Sequence, residues 1–472
     1  MLLSEMITSL DCRTENMKDT DISTIEYNSG KVVPGALFIA IRGEHHDGHD
    51  FVVDAANRGA AAVMTERRVE ISLPQVIVSD TRKAMGTVAR TFYGSNGMLK
   101  IGITGTNGKT TTAFLIHSIL DEAGMQPALI GTVYYRGKTT KKAVMTTPES
   151  LDLFKMIADF RREGSRAVVM EVSSHALSLH RVDELRFKIA IFTNFSQDHL
   201  DFHKTLEEYR AAKMKIFSLL ENDGCAVYNY DDPVSREIER LRLPHRITYG
   251  TRNRAIVLAE LLQECADGLD IAILCKGEKS VIHSSLIGRF NIYNICAAFA
   301  AGIALNIDRA TIVAGIEKLQ RVEGRMQQIN DGIFVDYAHT PSALQNALEA
   351  LRPRVCGKLV LVFGCGGDRD KAKRPLMAQI ASTGADVIVI TTDNPRRESP
   401  RNIIRDIERG MTTENYVVIE DRRQAIEYAC SQKGHGDVLL VAGKGHETYQ
   451  IIGEQVVHFD DAEVIRECIT RS

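Results

Sequence analysis

The sequence contains no tryptophan, only 11 prolines in 472 residues, and nine cysteines of which no two form a C-x-x-C pair. Cys12, Cys225, Cys265, Cys275, Cys296, Cys356, Cys365, Cys430 and Cys468 are odd in number and scattered. That pattern argues against a disulfide framework and a zinc site and leaves the thiols as reduced packing residues. No apolar run approaches the length that spans a bilayer, and Met1-Leu2-Leu3-Ser4-Glu5-Met6 lacks the basic region and long apolar core of a leader. A cytoplasmic protein is expected. An excess of one charge is missing too: Lys plus Arg number 58 and Asp plus Glu 61. No global field therefore draws the chain onto nucleic acid or a membrane surface. Low-complexity segments, heptad runs and short repeats are also absent. What remains is a globular composition on a chain long enough for about two to four domains.

Three blocks emerge. The first, residues 1–97, alternates short apolar strands (Ala36–Ala40, Ala61–Met64, Val76–Val78) with helical stretches near Asp54–Arg58 and Arg82–Phe92, as a small α/β unit does. The second, residues 98–325, contains Ala167–Met170 and Ile189–Phe192, apolar runs that end in polar residues like buried parallel strands whose C-terminal ends form a site. Past Arg252 it turns to strand-like alternation, then to helix from Asn291. The third, residues 326–472, alternates strand and helix again around Val360–Phe363, Val387–Ile390 and Val438–Val441, a Rossmann-like pattern. The fold class is α/β in three domains.

Gly105-Thr106-Asn107-Gly108-Lys109-Thr110-Thr111 stands between the apolar run Leu99–Ile103 and the helical Ala113–Ile116. Glycines let successive N–H groups face a polyphosphate, a helix begins at the anion, Lys109 reaches the terminal phosphates, and Thr110 can ligate magnesium. The reading implies ATP. The first glycine of the standard pattern is replaced by Ile103, with Gly102 one place off. The competing reading is a strand-to-helix turn that binds nothing, and the Lys-Thr pair in register argues against it.

Polar residues follow two of the strands: Glu171-Val172-Ser173-Ser174-His175, and Thr193-Asn194-Phe195-Ser196-Gln197-Asp198-His199-Leu200-Asp201. Glu171 and His199 at such strand ends can hold a second magnesium. Alternatively Glu171 pairs with a lysine and His199 caps the next helix. Tyr209–Phe217 reads as an amphipathic helix on which Lys213 and Lys215, from the residues alone, are ordinary solvated lysines.

The phosphate loop, Thr146-Thr147-Pro148-Glu149, the two strand-end runs, Ala211-Ala212-Lys213, Asn291-Ile292-Tyr293-Asn294 and Asp336-Tyr337-Ala338-His339-Thr340-Pro341, in that order, resemble the Mur ligase family along essentially the whole chain. Phe363–Lys371, Asp393-Asn394-Pro395-Arg396 and Gly443-Lys444-Gly445-His446-Glu447 resemble the branch that attaches meso-diaminopimelate to a UDP-N-acetylmuramoyl dipeptide in cell-wall synthesis, which supports cell shape and division. The resemblance implies ATP-dependent amide-bond formation through an acyl phosphate, by a monomer acting on small molecules without nucleic acid or membrane insertion. It makes Lys109, Glu171, His199 and Lys213 the catalytic group. Lys213 matches a lysine that takes up carbon dioxide and, as a carbamate, supports magnesium with Thr110, Glu171 and His199; this requires an amine pKa lowered from about 10.4. Asn294 is implied at the adenine, and Arg325, Asp336 and His339 on ATP. Thr146, Thr147, Ser173 and Arg181 are implied on the muramoyl dipeptide, and Ser29, Gly43 and Asp47 at the UDP end, with Gly48 and Phe51 keeping the same loop pattern.

For the incoming amine the resemblance implies Arg369, Asp393, Asn394, Pro395, Arg396, Gly443 and Glu447. Arg396 can pair with the second carboxylate of diaminopimelate, which L-lysine lacks, and an unmet buried charge rejects the analogue strongly. The alternative is a solvated turn arginine like Arg397 beside it. Two departures stand out: Asn28-Ser29-Gly30 replaces the relatives' Asp-Ser-Arg, and Leu179 stands where some place a polar residue. Rival readings are the same ligation with L-lysine, a folylpolyglutamate-synthase type of ligase, and an ATP-binding regulatory protein that has lost catalysis.

Overall fold

The structure, a computed structural model, describes residues 1–43, 46–94, 97–252, 254–265 and 267–471. Short runs of β-branched and aliphatic residues form its strands. Ala36–Ile39, Ala62–Thr65, Ala167–Glu171 and Leu359–Phe363 are buried along their whole length, as strands covered on both faces must be. The chain divides into two compact units. One comprises Met1–Gly102, Met125–Ala190 and Lys215–Gly224; the other comprises Ile103–Gly124, Ile191–Met214 and everything from Cys225.

In the first unit a five-stranded sheet has the order Arg13–Glu15, Gln75–Ile77, Ala62–Thr65, Ala36–Ile39, Thr24–Glu26. It is parallel except for the Arg13–Glu15 edge. The helix Thr81–Tyr93 starts where the Asp80 carboxylate accepts from Lys83 N–H and stops at Gly94, whose φ is +70°; such a cap contributes about 1 kcal/mol. Ala167–Glu171 pairs in parallel with Pro127–Ile130, and Tyr134–Arg136 and Thr140–Lys142 continue antiparallel.

In the second unit the helix Lys109–Glu122 packs against Phe290–Ala304 and Arg309–Lys318. Gly315 allows the last approach, because a Cβ there would lie 2.5 Å from Ile119 Cα. Strands Leu220–Asn229, His245–Gly250 and Val257–Cys265 run parallel, and Gly268–Cys275 and Glu278–Ser284 return antiparallel. A six-stranded sheet follows in the order Gln327–Asn330, Ile333–Asp336, Val438–Ala442, Leu359–Phe363, Val387–Ile390, Tyr416–Val418, parallel except at its first edge. Period-two alternation splits its residues between two cores. Leu359, Leu361 and Phe363 join helices Pro341–Leu351, Lys373–Gly384 and Pro400–Glu408, while Val360 and Val362 join Arg422–Gln432 and Asp461–Arg471. This is the doubly wound α/β arrangement anticipated from the strand–helix alternation.

Two expectations need correction. The helix expected across Tyr209–Phe217 ends at Met214 and tightens into a 3₁₀ segment, Lys215–Leu219. All nine cysteines are free, but Cys356 is exposed and does not pack. Among the described residues no helix is long and apolar enough to cross a membrane.

Candidate active site

The loop Gly105–Thr111 has the geometry its glycines predict. Gly105 has φ +145° and Gly108 +84°, and a Cβ on either would collide with Thr193 Oγ1 or Asn294 Oδ1 respectively. The strand-end run from Thr193 laces the loop in place. Asn194 Oδ1 accepts from Asn107 N–H at 2.9 Å, Asn194 Nδ2 donates to Asn107 O at 3.1 Å, and Thr193 Oγ1 donates to the same carbonyl at 2.6 Å. Ser196 N–H donates to Thr106 Oγ1 at 3.0 Å. Lys109 Nζ arches over the loop to Gly105 O and Thr106 O at 3.0 and 2.8 Å. The loop is thus pre-shaped, with its N–H groups at a helix start. Gly108→Ala is expected to weaken nucleotide binding at least about tenfold and to destabilise the fold by about 1–3 kcal/mol, since it adds a strained φ to a steric clash. Nucleotide titration and a thermal melt on the same preparation measure both.

Beside the loop lies a cavity of about 410 Å³ lined by Asn107, Gly108, Asn294, Phe195, Tyr249 and Tyr293, among others. Its size and aromatic walls suit a flat heterocycle. Asn294 reaches it from the helix Phe290–Ala304, where its Nδ2 donates to Asn291 Oδ1 at 2.8 Å. The C-terminal residues also reach the loop: Asn107 Nδ2 donates to Ser342 Oγ at 2.9 Å and Arg325 Nη2 to Thr110 Oγ1 at 3.0 Å. Arg325 is stacked over Tyr337, 4.5 Å from the ring centre. Asp336 accepts from Met326 N–H at 2.6 Å, and burial pushes its carboxyl up to about 6 against that bond and Arg325. His339 donates from Nδ1 to Tyr337 O at 2.7 Å. Burial and then Lys373 bring it down to about 4, so it is a neutral imidazole at pH 7.

Lys213 is not a solvated lysine. It is 1% exposed, its Nζ donates to Gly105 O at 2.7 Å, and it lies 4.5 Å from the centre of the Tyr209 ring. Burial, then the Lys109 ammonium, hold its amine well below the ordinary lysine value, against Asp198. Tyr209, Lys213 and Phe217 stand four residues apart, and that apolar stripe is the signal a solvated reading overlooked. Asp198 is a residue sequence reasoning passed over, although it lies inside a quoted run. Its buried carboxylate accepts from His199 N–H at 2.9 Å, with His199 Nε2 at 3.4 Å, Lys373 Nζ at 3.7 Å and His339 Nε2 at 3.9 Å. Burial raises its carboxyl, but those three groups outweigh it and hold it well below the usual range. Lys373 left no signal in the sequence. His199 occupies the cap position before Leu200–His203 with φ +55° but makes no side-chain cap, so it does not cap that helix.

The Asp393–Arg396 loop and the Gly443–Glu447 turn meet beyond the C-terminal ends of Val387–Ile390 and Val438–Ala442, the strands on either side of Leu359–Phe363. Asn394 Nδ2 donates to Glu447 Oε2 at 2.8 Å, and Lys444 Nζ reaches Glu447 Oε2 at 3.1 Å and Asn394 Oδ1 at 3.2 Å. Gly443 has φ +114°, and a Cβ on it would lie 2.6 Å from Asp393 Oδ2. Arg396 is itself left-handed, φ +52°, and is clamped by Ile451 O and Gly453 N–H. Its guanidinium donates to Gly367 O at 2.8 Å and makes no ion pair with a described residue. Burial, then the Arg369 charge, lower its pKa, against Asp393 and Glu447. Arg369 is exposed, 4.0 Å from Asp201. Buried Arg374 pins the loops with Glu398 and Asp406 at 2.7 and 2.9 Å.

In the first unit Glu171 is 1% exposed, and its carboxylate accepts from Thr132 N–H and Oγ1 at 2.8 and 2.9 Å. Thr146 Oγ1 is 3.1 Å from Thr132 Oγ1, Thr147 Oγ1 donates to Glu171 O at 2.9 Å, and Ser173 N–H donates back to Thr147 Oγ1 at 3.1 Å. Arg181 binds Glu149 at 2.8 Å and Thr147 O at 3.0 Å. These residues form one cluster. Ser29, Gly43 and Asp47 lie in loops of the five-stranded sheet. Asn28 Oδ1 caps the Ser29–Lys31 turn, and Asp47 caps Gly48–Phe51 while accepting from Arg67 at 3.2 Å. Asparagine and aspartate cap equally well, which explains how Asn28 keeps the turn. Glu171 belongs to one unit, and His199 and Lys213 to the other. Among the described residues no three His, Cys, Asp or Glu side chains form a metal cage.

Three models of one family cover most of the chain: "Mur ligase family, catalytic domain" at residues 21–93, "Mur ligase middle domain" at 103–302, and "Mur ligase, glutamate ligase domain" at 324–445. The chain is 45% identical over 464 residues to the UDP-N-acetylmuramoyl-L-alanyl-D-glutamate--2,6-diaminopimelate ligase of Geobacillus kaustophilus, with 95% of each covered. A solved structure of a ligase of that name is 33% identical, with TM-score 0.65 over 96% of this chain and 95% of that one. A Thermotoga maritima MurF ligase solved with ADP is 21% identical and shares the fold, with TM-score 0.70 over 97% of this chain and all of that one.

Proposed function

The chain belongs to the Mur ligase family, and we propose that it is the ligase that joins meso-2,6-diaminopimelate to UDP-N-acetylmuramoyl-L-alanyl-D-glutamate with conversion of ATP to ADP and phosphate, in peptidoglycan precursor synthesis. The observation that carries the reading is the Arg396 guanidinium, which among the described residues bonds to backbone carbonyls and makes no ion pair, in the same pocket as the Asn394–Glu447 pair. One end of that pocket offers a cation to a carboxylate and the other a carboxylate to an ammonium.

The chemistry assigned is two successive displacements. A glutamyl carboxylate oxygen attacks the γ-phosphorus of ATP, the bond to ADP breaks, and an acyl phosphate forms. The amine of the second substrate then attacks the acyl carbon, the tetrahedral intermediate expels phosphate, and the ammonium proton passes to solvent. No side chain bonds covalently to substrate. Gly105–Thr111 cradles the phosphates, with Lys109 against the charge that develops; the cavity by Asn294 takes adenine, and Arg325, Asp336 and His339 complete the nucleotide site. Thr146, Thr147, Ser173 and Arg181 orient the dipeptide, and Ser29, Gly43 and Asp47 the uridine end. Arg369, Asp393, Asn394, Pro395, Arg396, Gly443 and Glu447 form the amine pocket. The domains proposed are 1–97 for the UDP-sugar, 98–325 for ATP and 326–472 for the amino acid, in a monomeric cytoplasmic enzyme.

The donors present fit magnesium brought in on ATP rather than a resident ion, since among the described residues no His, Cys, Asp and Glu side chains form a cage and Thr110 stands at the loop. Within the second unit Thr110, His199 and a carbamate on Lys213 would hold it, and bound there it would neutralise phosphate charge. The buried, charge-poor amine of Lys213 supports carbamate formation, because only the neutral amine adds carbon dioxide. Phosphate release with ATP, magnesium and the nucleotide dipeptide, with meso-diaminopimelate or L-lysine in parallel and the product weighed by mass spectrometry, tests the reading. Tripeptide only with diaminopimelate is expected. Product only with lysine overturns the amine assignment, and silence with both overturns the ligase.

A further inference from the structure

Within Gly443–Glu447 the function above uses the first and last residues but leaves Lys444 without a role. Lys444 is fully buried, and its Nζ touches the two side chains that face the amine: Glu447 Oε2 at 3.1 Å and Asn394 Oδ1 at 3.2 Å. The Tyr449 ring lies 5.6 Å away, and the same ammonium also acts on the Asp393 carboxylate and lowers it. Left-handed glycines on either side, Gly443 at +114° and Gly445 at +56°, turn the chain so that a lysine side chain points inward.

Resting on the diamino-acid reading of this pocket, we propose that Lys444 is a positioning residue: it fixes the Glu447 carboxylate beside Asn394 and supplies the counter-charge that keeps it anionic until the substrate ammonium arrives. Every element around Glu447 contributes a group to this balance. Asn394 Nδ2 donates at 2.8 Å, and Asp393 brings a second carboxylate from the same loop. Tyr337 Oη lies 3.5 Å from Oε1, and Tyr449 and Arg396 face it as well. Arg422 pairs with Asp461 at 2.7 Å, and its charge also reaches Asp393 and Glu447. Burial raises the Glu447 carboxyl, Asp393 raises it further, and Lys444 is the largest influence in the other direction. Without Lys444, therefore, Glu447 stays protonated to a higher pH. A neutral acid cannot pair an ammonium, so amine capture requires more alkaline conditions.

The experiment compares kcat/KM for meso-diaminopimelate against pH in wild type, Lys444→Met and Lys444→Arg, together with a ¹³C-carboxyl titration of glutamate-labelled protein in which Glu447→Gln identifies the resonance. Expected in Lys444→Met is an acidic limb moved up by about one pH unit, hence about a tenfold loss below it that high pH restores, with KM for ATP within about twofold. Lys444→Arg returns the limb toward wild type. An unmoved limb and an unmoved Glu447 midpoint in Lys444→Met overturn the proposal. If Lys444→Met does not fold, Lys444→Gln, which keeps a donor and drops the charge, is read the same way. A wild type silent with every amine overturns the diamino-acid reading, and the carboxyl titration then still decides whether Lys444 holds Glu447 anionic.

Discussion

Replacing Lys213 with methionine is expected to lower tripeptide formation by about 10²–10³-fold while leaving the melting temperature unchanged or higher. The two halves of this expectation come from the same geometry. The amine has one carbonyl acceptor, Gly105 O at 2.7 Å, and a tyrosine face, with Lys109 as the nearest like charge. A buried cation so poorly compensated contributes little to stability, and an apolar side chain of similar volume replaces it at no cost or with a gain. A lysine nonetheless stands in a place that disfavours its charge, and a neutral amine there is reactive toward carbon dioxide. A carbamate would also turn the repulsion by Lys109 into attraction. Intact-mass measurement should find one added carbon dioxide on wild type and none on the variant. Carbon dioxide depletion should slow wild type, more so as pH falls and less amine remains neutral. A variant with wild-type turnover, or one that loses activity only in step with its folded fraction, would remove Lys213 from the chemistry.

Arg396→Ala is expected to reduce kcat/KM for meso-diaminopimelate by about 10²–10³-fold and to bring selectivity over L-lysine near unity. The guanidinium is partly buried, repelled by Arg369, and bonded, among the described residues, to the carbonyls of Gly367 and Asn394. A bidentate carboxylate supplies what it lacks, whereas lysine leaves it unpaired. Because no protein carboxylate is orphaned by its removal, the melting temperature should fall by little, and a left-handed residue is merely exchanged for another at φ +52°. Parallel kinetics with the two amines measure the ratio. A selectivity retained in Arg396→Ala would place the selector elsewhere, with Arg369 the next residue to test.

Much of the fold was legible because it depends on short-range pattern. Strand–helix alternation located strands such as Ala62–Thr65, Ala167–Glu171 and Leu359–Phe363, and the period-two faces of Leu359–Phe363 follow from side-chain alternation alone. The phosphate loop was legible because glycine, lysine and threonine act there through backbone geometry that neighbouring residues impose. The loop's partners were not. Thr193 and Asn194 lie some 86–87 residues from the carbonyl they hold, Asn107 O, and Ser342 lies 235 residues from Asn107. No local pattern encodes such pairings. Lys373 reached Asp198 in the same unannounced way.

Lys213 and Lys215 show the boundary most sharply. On composition they are the same residue two places apart, and reading them as equally solvated was reasonable. The sequence itself determined that a helix would form there and that Tyr209 and Lys213, four residues apart, would share one face of it. Only the tertiary structure decided which face is dry. Packing against the phosphate loop buries Lys213, while Lys215 stays exposed. In the same way the sequence determined the glycine turns around Lys444 and the cation at Arg396. Their surroundings decided that one would face a carboxylate and the other would lack one. Backbone propensity and side-chain period act between near neighbours, whereas burial and charge compensation depend on whatever the fold brings within a few ångströms.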